Sequence, residues 1–83
     1  MKNNLNKLIR LDGVLNIIPY SKSTIYDFMP KGLFPQSFKI GERATAWKES
    51  DVLSLAKALS EEKTQSEIKE LVKSLNASRT GRN

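Results

Sequence analysis

Neither cysteine nor histidine occurs in the 83 residues. Without cysteine there is no disulfide framework and no thiolate metal site, an absence in keeping with a reducing compartment. Without histidine the commonest general base, the commonest zinc ligand and every imidazole-activated nucleophile are missing. Only scattered carboxylates remain, so neither catalysis nor a metal or cofactor is expected. Long apolar runs are lacking as well. No stretch approaches the roughly 20 residues that span a bilayer, and Met1 to Arg10 has no continuous apolar core of the signal-peptide kind. A soluble cytoplasmic protein without a membrane partner is expected. The length allows one domain, and a body of about 50 residues buries only roughly 60% of its unfolded surface, so stability should be modest.

Acidic charge is the scarcer sign: 14 Lys and Arg face 9 Asp and Glu, giving +5 and a pI near 9.7. The excess is uneven. Residues 1–10 carry +3 through Lys2, Lys7 and Arg10, and 31–48 carry +3 through Lys31, Lys39, Arg43 and Lys48 set against Glu42. Residues 49–63 carry −2. A polyanion would therefore meet the front half of the molecule, and double-stranded DNA is the partner that this pattern favours. The alternative is a solvated basic surface that serves solubility alone.

Leu11 to Gly32 reads as two short helices joined by a tight turn. Leu11, Val14, Leu15 and Ile18 recur at helical spacing, with Asp12 as a candidate capping acid. Pro19 then forces Ile18 out of helical geometry and turns the chain. Ser21 is positioned to restart it as an N-cap, accepting from the amide of Ser23 or Thr24. Ile25, Phe28 and Met29 form the buried face of the second helix, and Pro30 and Gly32 end it. This is the pattern of a helix-turn-helix. The second helix would carry Ser21, Lys22, Ser23, Thr24, Tyr26 and Asp27 toward base edges in a major groove. An αα-corner within any small helical domain is the competing reading.

After Gly32 the pattern alternates. Phe34, Phe38 and Ile40 are separated by polar residues, Gly41-Glu42-Arg43-Ala44 forms a tip at which glycine would take positive φ, and Thr45, Ala46 and Trp47 resume an extended run. Pro35 is expected at the strand start. Such a hairpin is a wing anchored by Trp47. Lys39, Gly41, Arg43 and Thr45, with Lys31 and Lys48 on its flanks, would supply contacts to DNA phosphates or a minor groove. Val52, Leu55, Ala56 and Leu59 then line a structural helix. Thr64-Gln65-Ser66-Glu67 matches a capping box ahead of a stripe of Ile68, Leu71, Val72 and Leu75, which either packs on its own domain or pairs with a second subunit.

The expected fold is mostly α with a small β-hairpin, a winged helix-turn-helix with an additional C-terminal helix. Its parts are a tail and extended lead-in over 1–9, the DNA-binding domain over 10–59, a C-terminal helix over 60–76 and a flexible basic tail over 77–83.

The run from Arg10 to about Leu59 resembles the AlpA family of prophage and genomic-island regulators and excisionases. The resemblance rests on Ser21, Ser23-Thr24-Ile25-Tyr26, the Gly32 to Pro35 link, Lys39-x-Gly41-x-Arg43 and Trp47-Lys48-Glu49-Ser50. It implies a winged helix-turn-helix related to that of MerR proteins, with Lys22, Ser23, Thr24 and Tyr26 on the DNA-reading helix. Lys39, Gly41 and Arg43 would form the wing, and Trp47 would be a core anchor. It also implies a bacterial protein held at the nucleoid by DNA, acting as an excisionase, a transcriptional regulator of an integrase gene, or both. A phage-type integrase and further copies on repeated sites would be its partners. One departure stands out. The position after Tyr26, commonly basic in the family, is Asp27, which can accept from a cytosine amino group or pair with Lys31 at i+4. A second functional reading is a protein-interaction module that inhibits another regulator or an integrase through Tyr26 or the C-terminal stripe.

Overall fold

A computed structural model describes residues 7–80, with side chains through residue 77. The expectations for residues 1–6 and for the last tail residues, 81–83, lie outside the described residues. The elements are β1 (Leu8–Ile9), α1 (Leu11–Ile17), α2 (Lys22–Phe28), β2 (Phe38–Lys39), β3 (Thr45–Lys48), α3 (Glu49–Ser60) and α4 (Gln65–Thr80). This is a helix-turn-helix with a β-hairpin wing, mostly α, closed by two further helices.

The turn between α1 and α2 follows from Pro19. Ile18, whose amide still bonds to the Val14 carbonyl, has φ −122° and ψ 117°, the extended geometry that a following proline imposes. Ser21 caps α2 as expected, accepting from the Thr24 amide at 3.2 Å. At the other end Gly32 takes φ 76°, and the amides of Gly32 and Leu33 bond to the carbonyls of Met29 and Phe28. That pattern is a Schellman motif, which explains why glycine is required there. Asp12 is not the cap of α1. Arg10 occupies that position without a side-chain bond, and Asp12 Oδ1 accepts from the neighbouring Gly13 amide at 3.0 Å. The site is pressed from the other side: a Cβ at Gly13 would meet Ile9 Cβ at 3.1 Å.

The sheet has three strands in the order β1-β3-β2, all antiparallel, with Ile9 opposite Trp47 and Phe38 opposite Ala46. The expected hairpin is thus β2-β3, and the lead-in adds a strand to its open edge. Two details depart from expectation. Gly41 has no positive φ, because the Ile40 amide closes the loop on the Ala44 carbonyl at 3.0 Å and the reversal is spread over several residues. Pro35 stands ahead of β2 and is fully buried, its carbonyl accepting from Trp47 Nε1 at 3.1 Å.

The core gathers Val14, Ile18, Ile25, Phe34, Trp47, Val52 and Leu55 from all parts of the pair, wing and α3. Ile68 and Val72 of α4 join it, with Leu71 packed against it, so the C-terminal stripe faces its own domain. The capping box of α4 forms as its sequence predicts: Thr64 N donates to Glu67 Oε1 at 2.9 Å and Glu67 N to Thr64 Oγ1 at 3.2 Å. The Thr64 amide also holds the Glu67 carboxyl below its ordinary range. α4 runs through Thr80 rather than fading at Asn76, since no proline or glycine intervenes before Gly81.

Candidate nucleic-acid interface

Ile25, fully buried, fixes which face of α2 points outward. The cap occupies two of the polar groups expected on that face: Ser21 Oγ lies 2.9 Å from Thr24 Oγ1 as well as accepting the Thr24 amide, and 3.3 Å from Ser23 Oγ. Lys22, Tyr26 and Asp27 remain exposed one turn apart. Tyr26 is 40% exposed, yet its ring lies against Trp47 with centroids 6.2 Å apart and planes at 59°. Trp47 is itself fully buried, held by its bond to Pro35 and an edge-to-face contact with Phe34 at 85°. The wing's anchor therefore also orients the exposed aromatic of α2.

Between α2 and the wing lies a groove of about 470 Å³ lined by Arg10, Leu11, Asp12, Lys22, Tyr26, Arg43 and Thr45. Four of the residues singled out from sequence, Lys22, Tyr26, Arg43 and Thr45, are thus brought to one concave surface from two elements. Lys39 pairs with Thr45 in register, and cross-strand partners share a face, so it lies on the same side of the sheet. Gly41 is exposed at the tip. Lys48 alternates away from Thr45 and Trp47 along β3 and belongs to the opposite face.

Lys31 is occupied: its Nζ bonds to Asp27 Oδ2 at 2.9 Å, the i+4 pairing available to Asp27. Both side chains are more than half exposed, and such a pair opens readily to a phosphate. Ser23 stays on the outer surface, near the cap.

Three groove residues, Arg10, Leu11 and Asp12, are not among the site residues that the sequence predicts. Arg10 immediately precedes α1, far in sequence from the wing, and pairing of Ile9 with Trp47 carries it to the groove. A lone arginine before a helix offers no sequence signal of that position. The groove thus gathers three cations, Arg10, Lys22 and Arg43, against one carboxylate, Asp12.

A capped second helix beside a basic hairpin wing defines the small winged helix-turn-helix class of DNA-binding domain. Within that class the chain belongs to the AlpA family, described as prophage CP4-57 regulatory protein, which matches residues 7–54 and so covers every element from β1 into α3. A curated relative, uncharacterized protein ORF88 of Enterobacteria phage P4, is 35% identical over 46 residues, 55% of this chain and 52% of the relative. The chain thus spans about half the length of that relative. No solved structure matches. The family is one of prophage regulatory proteins. No helix among the described residues is long and apolar enough to cross a membrane.

Proposed function

We propose that this chain binds double-stranded DNA through the groove between α2 and the wing. On this reading it acts at a prophage or genomic island as an excisionase, as a regulator of an integrase gene, or as both. The observation that carries the reading is the convergence of Lys22 and Tyr26 from α2 with Arg43 and Thr45 from the wing on one concave face, joined there by Arg10. α2 enters the major groove with Lys22, Ser23, Tyr26 and Asp27 toward the bases, Ser21 and Thr24 hold its first turn, and Lys39 and Arg43 meet the flanking backbone around Gly41. Lys31 lies at the margin and contacts phosphates of longer sites, whereas Lys48, on the opposite face of the sheet, makes no contact with the bound duplex. Binding to the chromosome would place the protein in the bacterial cytoplasm.

One short helix and a wing make a small interface, so a single copy binds modestly, and specificity comes from several copies on repeated sites or from a phage-type integrase bound alongside. The interaction-module alternative loses one of its two surfaces, because Ile68 and Val72 of the C-terminal stripe are already buried in this domain, and keeps the exposed Tyr26. The test is a footprint of the purified protein on DNA flanking its own gene, including an integrase promoter and attachment site, beside Tyr26→Ala. Protection of repeated sites that the variant loses supports the reading. Absence of protection by folded protein at any of these sites overturns it.

A further inference from the structure

The residues beyond 54 lie outside the family match, yet α4 is bonded to the helix that the proposed function depends on. The link is Gln36. Its backbone amide donates to Asn76 Oδ1 of α4 at 3.1 Å, and its side-chain Nε2 donates to the carbonyl of Met29 at 3.2 Å. Met29 is the C-cap of α2, bonded back through its own amide to Ile25, and its carbonyl also receives the Gly32 amide of the Schellman turn. A bridge across 40 residues of sequence thus ends on the last turn of α2.

Three features make the bridge specific. Gln36 follows Pro35, which is fully buried and accepts from Trp47, so the backbone that presents the Gln36 amide is fixed to the wing's anchor. Asn76 is presented by a helix whose Ile68 and Val72 are locked in the core. Nearer its start, α4 faces Tyr20, Phe28 and Leu33 across a small cavity that Ile68 and Gln65 also line, so the last residue of α2 and the segments flanking that helix border α4 a second time. A seven-residue helix has no cooperativity of its own to hold a direction, and its angle is set by what it is tied to.

We propose that Gln36 and Asn76 are positioning residues for DNA recognition: α4 sets the angle of α2 through this bridge without touching DNA. The inference rests on the reading that α2 contacts DNA. Asn76→Ala removes the acceptor for the Gln36 amide, while Asn76→Asp keeps one in the same place. Gln36→Ala removes the donor to Met29. The full-length protein and these variants are titrated against its footprinted site and against an unrelated duplex, at a temperature where circular dichroism shows every variant fully folded.

Loss of one such bond should weaken specific binding about fivefold. Non-specific binding and the salt slope should stay unchanged, because no phosphate contact is removed. Asn76→Asp should retain most of the affinity, and Gln36→Ala with Asn76→Ala together should cost less than the product of the two, since both break one bridge. Unchanged site affinity in both alanine variants overturns the proposal. So does equal weakening on both duplexes, which marks a general loosening of the fold. Failure of the wild-type protein itself to bind any duplex is a different result and overturns the DNA-binding reading on which the proposal rests.

Discussion

Tyr26 and Trp47 lie with ring centroids 6.2 Å apart, one two-fifths exposed on α2 and the other wholly enclosed between the wing and the core. The contact joins folding to recognition in a single pair. Trp47 belongs to an aromatic run continuing through Phe34 and Tyr20 to Phe28, so the wing and both ends of α2 share one apolar seam.

The two residues should separate cleanly on mutation. Trp47→Ala removes a large buried side chain and leaves the Pro35 carbonyl without its donor, and is expected to cost about 3–5 kcal/mol in a urea titration, enough to unfold so small a domain. Tyr26→Ala gives up one ring contact and should cost about 1 kcal/mol, with far-UV dichroism unchanged. Its loss should fall on DNA binding instead. Comparable unfolding by both changes would show that Tyr26 is mainly a core residue.

Arg10, just ahead of α1, and Arg43, on the wing, both line the groove and both are exposed. Replacing either by alanine should change stability by no more than about 0.5 kcal/mol. Each replacement should lower the slope of log affinity against log salt by about 1, from a wild-type value of roughly −4. An unchanged slope in Arg10→Ala, measured by fluorescence anisotropy at several salt concentrations, would remove Arg10 from the interface.

Much of this arrangement is written locally. Pro19, the Ser21 cap, Gly32 and the Thr64–Glu67 box each act within one turn of chain, and each does in the structure what its chemistry predicts. What could not be read depends on distant pairing. β1 is two residues long, too short to show an alternating period, so neither the third strand nor the arrival of Arg10 at the wing has a local signature. Acids favour the cap position, which points to Asp12, but backbone geometry places the cap two residues earlier, at Arg10. The Gln36 bridge spans 40 residues between two ordinary amides and is visible only once the chain is folded.

Asp27 is the one acid on the exposed face of α2, and its bond to Lys31 neutralises a cation that would otherwise face DNA. Asp27→Asn removes the negative charge while keeping an acceptor for Lys31. Stability should fall by about 0.3–0.5 kcal/mol, the usual worth of an exposed i,i+4 pair, and DNA affinity should rise as Lys31 is released and repulsion is lost. A weaker affinity confined to the specific site would instead mean that Asp27 reads a cytosine amino group. Anisotropy titrations on specific and unrelated duplexes decide between the two.

Glu62 has φ 58° and is the sole described non-glycine residue in the left-handed region. It ends α3 in a Schellman turn, with Glu62 N bonded to Leu59 O at 3.0 Å and Lys63 N to Ala58 O at 3.2 Å, so the turn that sends α4 back across the core forces a side chain into a conformation that glycine adopts freely. Glu62→Gly should therefore stabilise the protein by about 0.5–1 kcal/mol, raising Tm by roughly 4–8 °C per kcal/mol for a domain of this size. Glu62→Gln removes the charge and keeps the strain, and should leave Tm nearly unchanged. A rise in Tm for the glutamine variant equal to that for glycine would assign the effect to charge; a rise for glycine alone assigns it to the backbone of this turn.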